Sequence, residues 1–437
     1  MNSVASVRRL LTFGDLPSDF RRAWTAMASS NLADGIVRVA IAVIAVRLTT
    51  EPLLVAGVAI AGALPSVLVV LVAGALADRF DRTRIMFVAE VTRIATLVIL
   101  VALAAVDGLT LPVLMLAAFV LGIQQTFWDA TAVTLVPLIV QPHEITRANA
   151  RFFAGEIIAE VFVGPPLGGL LITAGAVLAF AGSIAGYVIA IVGLLLMTGT
   201  YRVARVGAAT SMRHDIAEGL RYLAGHPLQR VLTTMVALSN FASMAFGAVF
   251  ALFALGPMGL SEAGYGVFLA LFGIGSLVGT AIAARVERRL GTARTLLVSA
   301  FIGSLTYFVP AVTAQPLPVG VAIVVAGATA LTWGVVNVSL RQRFVPREIY
   351  GRVQSGHRLA ANLAGILGGA AAGVAATIAG LPAAFIVAGL ASLASCLGWF
   401  WVNDSTVAAA LAESPDPDVA RAAAEVLGID GGASISS

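Results

Sequence analysis

No lysine occurs anywhere in the 437 residues, and only one cysteine, four histidines and a charged fraction of 11% accompany that gap. Each scarcity excludes something. Without lysine the Gly-x-x-x-x-Gly-Lys-[Ser/Thr] phosphate loop cannot be written, so nucleotide hydrolysis of that type is not available. The exclusive use of arginine reflects G/C-rich codons. Cys396 alone permits no intrachain disulfide and no Cys-rich metal site, and His143, His214, His226 and His357 are scattered without metal spacing. No nucleophile, base and oxyanion set converges, so an enzyme is not expected, and no cofactor is called for. A soluble domain carries about 25% charged residues. With 59% hydrophobic residues and a mean hydropathy of +0.96, most of this surface must face something other than water.

What is present is a series of about twelve apolar runs: 23–47, 53–77, 85–106, 111–139, 152–174, 176–200, 229–255, 264–284, 295–314, 317–340, 355–379 and 382–403. Each is long enough for a helix that crosses a bilayer. Arg8 and Arg9 precede only a short apolar stretch before Asp15, Asp19, Arg21 and Arg22, so residues 1–22 read as an interfacial segment and not as a cleavable signal. Arginines concentrate in alternate connections: 79–84, 147–151, 202–230, 285–294 and 341–358. By the positive-inside rule these are cytoplasmic, as are both termini. Arg47, at the far end of the first run, is the one exception. The net charge of +4 follows from this distribution and implies no nucleic-acid partner.

The chain repeats itself. Pro142-His143-Glu144-Ile145 returns about 204 positions on as Pro346-Arg347-Glu348-Ile349, and Arg79-Phe80-Asp81-Arg82 has an echo in Arg285-Val286-Glu287-Arg288 at nearly the same offset. Two six-helix bundles are expected, 23–200 and 229–403, joined by a polar cytoplasmic segment 201–228 and followed by a tail 404–437.

The connection after the second run reads Gly74-Ala75-Leu76-Ala77-Asp78-Arg79-Phe80-Asp81-Arg82-Thr83-Arg84. It resembles the Gly-x-Leu-Ala-Asp-Arg-x-Gly-Arg-[Arg/Lys] signature of the major facilitator superfamily, with Asp81 in place of the usual glycine. That variant is similar to the branch holding macrolide and enterobactin-type siderophore exporters. The resemblance covers nearly the whole chain and implies an all-α membrane fold, two six-helix bundles around a central cavity, and alternating access. It implies that Asp78, Arg82 and Asp129 form a conformational latch, with Gly74 part of the motif. Gly164-Pro165-Pro166-Leu167-Gly168-Gly169 resembles the Gly-Pro-x-x-Gly-Gly core of the antiporter motif, whose upstream glycines fall here on Glu160 and Arg151. Small residues there allow close helix approach, and Gly164 and Pro165 are expected at a bend. The arginine that superfamily proton antiporters often carry in the fourth span is Ala118 here.

Carboxylates inside apolar runs are costly. Asp34, Glu90, Asp129, Glu156 and Glu160 all lie in the first half. Asn31, Asp34 and Arg38 share a helix face by their spacing. Asp34 there is fit to bind a proton or a cationic substrate, or to form an ion pair with Arg38. Glu156 and Glu160, four apart, suit a shared proton, or snorkelling to the interface, or pairing with Arg93 or Arg151. Glu90 and Arg93, three apart, suit a local ion pair. If the superfamily arrangement holds, the first, fourth, seventh and tenth spans line the cavity. Their polar and aromatic members, Asn31, Gln124, Gln125, Trp128, Asn240, Ser243, Phe246, Trp333 and Asn337, are then candidates for substrate contact or ordinary packing. No arginine cluster in the C-terminal runs awaits an organic anion.

The expectation is a monomeric exporter of a bulky amphiphilic, drug-like molecule, exchanging it for protons. The alternatives are a dedicated exporter of one metabolite such as a siderophore, a lipid transporter, and a receptor on the same scaffold.

Overall fold

The computed structural model describes residues 16–199, 201, 218, 221–345, 347–402 and 404–412, and no β-strand occurs among them. Residues 1–15, most of the connection 201–228, Pro346 of the repeat and the tail beyond 412 lie outside the described residues. So do the side chains of Asp78, Arg347 and Glu348.

The helices in chain order are α1 (Ser18–Leu48), α2 (Pro52–Ala63), α3 (Pro65–Leu68), α4 (Val70–Arg79), α5 (Arg82–Ala105), α6 (Leu111–Ile139), α7 (Ile145–Glu156), α8 (Gly164–Ala174) and α9 (Ala176–Leu195). There follow α10 (Pro227–Leu255), α11 (Glu262–Leu290), α12 (Thr292–Thr306), α13 (Val309–Val312), α14 (Pro316–Phe344), α15 (Arg347–Ala379), α16 (Leu381–Ser395) and α17 (Asp404–Ala412). Among the described residues ten helical stretches are long and apolar enough to cross a membrane. The first two apolar runs are helical too. At 31 residues α1 spans about 46 Å, and the second run is broken into α2, α3 and α4. Leu116, Ile99, Leu195, Val188 and Leu277 stand exposed on these helices. Apolar faces of that extent are stable only against lipid, so the chain is a multi-pass membrane protein.

Several boundaries differ from the sequence reading. The tenth run, expected to end at 340, stays helical to Phe344, and the sixth stops at Leu195. The fifth begins at Ile145 as α7 but does not run evenly into α8: Ile157–Val163 is a π-helical turn. Pro165 and Pro166 supply the reason. They lack the N–H groups that would continue an α ladder, so α8 restarts with proline at its first positions, where no donor is needed.

The chain divides into two compact units, Met1–Ala208 with Ala251–Gly273, and Ala209–Phe250 with Ile274–Ser437. In the first unit α1 is the hub, packed against α9, α8 and the π-turn. The contact is backbone on backbone. A Cβ on Gly35 would lie 2.6 Å from the Glu160 carbonyl oxygen and 2.9 Å from Gly164 Cα, and one on Gly168 would lie 2.9 Å from the Ile36 carbonyl. Lipid supplies no hydrophobic drive between helices, so such small-residue contacts carry the association. Gly169 meets Glu262 and Ala263 in the same way, and Gly266 meets Pro165, which ties the first half of α11 into this unit. Gly74 is different: nothing lies within 4 Å of where its Cβ would be.

These geometries predict that Gly35→Ala lowers stability by about 1–3 kcal/mol, because the obstructing atoms are backbone and cannot rotate away. Gly74→Ala is expected to melt no lower than the parent, because alanine is the better helix former by about 1 kcal/mol. Thermal unfolding of the purified variants in one detergent checks both.

Candidate charge network

The centre of the first unit is a guanidinium. Arg93 on α5 is 1% exposed and faces two carboxylates, Glu90 at 3.2 Å and Asp34 of α1 at 3.5 Å. Its Nη1 donates to Ser30 Oγ at 2.7 Å, and Ser30 donates to Glu90 Oε1 at 2.7 Å. Its Nη2 donates to Gln125 Oε1 on α6, and Gln125 Nε2 donates to Asp129 at 2.8 Å. Tyr187 of α9 donates to Asp34 Oδ1 at 2.6 Å. The rings of Trp128 and Tyr187 lie 5.4 and 5.3 Å from the guanidinium carbon, within cation–π range.

One assignment made from spacing changes here. Asp34 and Arg38 share a face of α1, but the partners of Asp34 are Arg93 and Tyr187, while Arg38 pairs with Glu160. Glu156 ends α7 and Glu160 lies four residues on, within the π-turn. Glu90 and Arg93 do pair, within a network four helices wide. Asn31 is buried beside it. Sequence reading missed Ser30 and Tyr187; no spacing rule on one helix points to either. Arg38, near the middle of α1, is 59% exposed, so its charge is accessible. Among the described residues no group of three or more His, Cys, Asp or Glu side chains is arranged to hold a metal.

Arg47, the arginine out of pattern, also has a structural reason. Its Nε and Nη2 each donate to Glu262 at 2.7 Å, a two-point contact, and Nη2 also reaches the Ile172 carbonyl at 3.1 Å. It clamps the end of α1 to the start of α11, beside the Gly169–Ala263 contact.

At the other end of α1, the residue that departs from the loop signature is a helix cap. Asp81 Oδ1 accepts from the Thr83 N–H at 2.9 Å, capping α5, and Oδ2 accepts from the Tyr201 N–H at 2.8 Å. The Tyr201 hydroxyl donates to Asp19 at 2.6 Å. Burial opposes ionisation of Asp81, but hydrogen bonds from Thr83 and Tyr201 outweigh it and hold the carboxyl below its ordinary 3.8. Asp19 is likewise held low, its bonds from Tyr201, Arg22 and Thr198 outweighing burial. Burial, then the bond to Asp19, pushes the Tyr201 hydroxyl up. Arg82 is buried beside this staple and its N–H reaches the Tyr201 carbonyl at 3.3 Å. The Asp78 side chain falls outside the described residues, so of the expected latch only Arg82 and Asp129 are placed, and Asp129 accepts from Gln125.

The remaining candidates are dispersed. Gln124 turns away from Gln125 and donates to Thr96 at 3.4 Å, in an apolar groove of about 420 Å³ lined by Leu76, Phe80 and Phe127. In the second unit Asn240 is exposed and donates to its own helix at Val236, and Ser243 bonds to Tyr307. Phe246 stacks on Phe250 at 4.7 Å. Trp333 and Asn337 lie on α14, Asn337 buried.

Long apolar helices with lipid-compatible faces and a charge network buried among them define a multi-pass membrane transporter, and comparison with known proteins agrees. The fold aligns with a mutant of the nucleoside transporter NupG at a TM-score of 0.73, with 12% identity over 88% of this chain and 99% of that one. A bacterial homologue of the iron transporter ferroportin gives 0.69 with 17% identity over 88% and 99%. A bacterial homologue of the lysosomal transporter Spinster gives 0.69 with 14% identity over 92% and 99%. The chain belongs to the transmembrane secretion effector family of major facilitator superfamily (MFS) transporters, whose model matches residues 16–427. An uncharacterized MFS-type transporter, y4rN of Sinorhizobium fredii, is 27% identical over 388 residues, 85% of this chain and 92% of that protein. The chain is a transporter and not an enzyme.

Arg93→Gln is expected to lose about 3–5 kcal/mol, because it leaves Asp34 and Glu90 buried without their cation; thermal unfolding in detergent measures it. The Asp81 cap gives a pH signature. A carboxyl held below its unfolded value adds stability that is complete above that value and is lost as pH falls through the folded one. Asp81→Ala should therefore melt below the parent by the equivalent of about 1 kcal/mol near neutrality. That gap should narrow as the pH is taken below 3.8.

Proposed function

We propose that the chain is an exporter of a bulky amphiphilic small molecule, working by alternating access in exchange for protons. The observation that carries the reading is the Arg93 network. One cation faces two carboxylates, Asp34 and Glu90, in the same contact shell. With both ionised the set holds one excess negative charge, and a single proton neutralises it. In a low-dielectric bundle that difference is large enough to bias the packing of α1 against α5 and α9. Proton binding can thus be coupled to helix movement without a cofactor.

The Arg38–Glu160 pair supports the same reading. Glu160 sits on the π-turn that abuts Gly35, and π-turns recur at functional sites. A change of charge at Glu160 would act on the backbone contact between α1 and α8. Glu156, one residue before the turn, belongs to this second group. Gly164 and Pro165 supply the bend, and Asp78, Arg82 and Asp129 the latch that closes in one state. In this proposal α1 and the broken α2–α4 run also cross the membrane, giving twelve spans in two bundles around a central cavity. Both termini are cytoplasmic, in the inner membrane, and the protein works as a monomer. The variant signature loop supports placement near the macrolide and siderophore exporters, and the apolar faces of α10 and α14 suit a substrate with a large apolar body.

The test is transport in sealed vesicles with an imposed pH gradient, using a fluorescent amphiphilic dye. Asp34→Asn is expected to bind the dye with little change but to lose gradient-driven accumulation, by tenfold or more. Undiminished uphill transport by that variant would remove Asp34 from coupling. Glu90→Gln, tested alongside, separates a single proton site from a shared one.

A further inference from the structure

The second unit buries a charge that the proposed coupling does not use. Arg341, near the end of α14, is 1% exposed, and neither Nε nor Nη2 has a hydrogen-bond partner. Four arginines are buried among the described residues, and Arg82, Arg93 and Arg151 all have partners. Arg341 makes no ion pair among those residues. A buried guanidinium without an anion is unfavourable, and proteins seldom keep one unless something supplies the opposite charge.

The groups around it are in the same condition. Trp333, Asn337 and Arg341 are spaced i, i+4, i+8 and share one face of α14. The Trp333 indole N–H and the Asn337 amide oxygen have no partner. Gln229 on α10 is 0% exposed, and neither atom of its amide is bonded. One turn on, Thr233 lies 3.1 Å from His357 Nδ1 on α15, and His357 is within electrostatic reach of Arg341. Leu232 of α10, Val336 and Leu340 of α14, and Val353 of α15 belong to one apolar cluster, which brings the three helix faces together. More than nine in ten buried polar groups in native proteins are satisfied. Several unsatisfied ones on helix faces that meet around a cation with no ion pair among the described residues therefore point to a ligand that supplies the missing partners.

We propose that this is a binding subsite for the anionic head group, carboxylate or phosphate, of an amphiphile whose apolar body lies along the surrounding leucines. The guanidinium, the Trp333 indole N–H and the Gln229 amide N–H₂ are donors suited to such oxygens, while the Asn337 amide oxygen would accept from the protonated acid. The inference rests on the reading of the chain as an exporter of amphiphiles and narrows that substrate to an acid. The same chemistry could come from a transported solute or from a bilayer lipid.

The experiment is ligand binding to the full-length protein in neutral detergent, read by tryptophan fluorescence and by thermal unfolding. The probes are decanoate, decyl phosphate, decyltrimethylammonium and phosphatidylglycerol. Decanoate or decyl phosphate should bind and raise the melting temperature of the parent, and decyltrimethylammonium should not. Arg341→Gln should bind the anionic probes about tenfold or more weakly. Without ligand it should melt no lower than the parent, because it removes an uncompensated charge. Equal binding by Arg341→Gln overturns the subsite, and so does a lower melting temperature without ligand, which would make Arg341 structural. Protection by phosphatidylglycerol alone assigns the pocket to membrane lipid and overturns the substrate reading. Failure of proton-driven dye transport alongside Arg341-dependent binding would count against the coupling proposal and leave this site standing.

Discussion

The first unit is organised by the solvation of one side chain. A guanidinium among apolar helices has no water to turn to, so every donor of Arg93 must be met by protein. The groups that meet it come from four helices: Ser30 and Asp34 on α1, Glu90 on its own α5, Gln125 and Trp128 on α6, and Tyr187 on α9. None of these helices can move far without leaving a charge or a buried hydroxyl unpaired. Such a network is a weak source of net stability, because desolvation offsets most of the attraction. Its value lies in specifying one arrangement while both carboxylates keep their charge, and in allowing another when one of them is neutral.

Against this charged centre stands a contact made almost entirely of backbone. Gly35, Gly164 and Gly168 let α1 approach α8 so closely that a methyl group has no place. The prolines that follow Gly164 deny the helix its donors and leave a π-turn, and Glu160 is carried on that turn. The contact is therefore sensitive at once to side-chain volume and to charge. The two ends of α1 are fixed separately, by Asp19 and Tyr201 at its start and by the Arg47–Glu262 clamp at its end. The two units also differ in chemistry: the first gathers carboxylates about Arg93, and the second buries Arg341 with no carboxylate partner among the described residues.

Much of this was legible in the chain. Apolar runs, the arginine-rich connections and the signature loop required nothing but hydropathy, charge and order, which are local properties. The transporter class followed from them, and the carboxylates were visible as charges where charge is costly. Their partners were not. Spacing on one helix offered Arg38 as a partner for Asp34, because residues three or four apart are the only neighbours a sequence displays. The actual partner of Asp34 lies 59 residues away on α5, and that of Arg38 lies 122 residues away on the π-turn.

Three other features depended on context. Asp81 looked like a departure from a pattern and is the cap of α5. Arg341 counted as part of a loop because the run seemed to end at 340, but α14 carries it inward to Phe344. The π-turn has no signature except the prolines after it. The sequence by itself determined which segments leave water, where charge is scarce and which superfamily the chain joins, since hydropathy and local order suffice for each. Only the tertiary structure decided which charge answers which, because in a low-dielectric interior that depends on separations of 3 to 4 Å between helices distant in the chain.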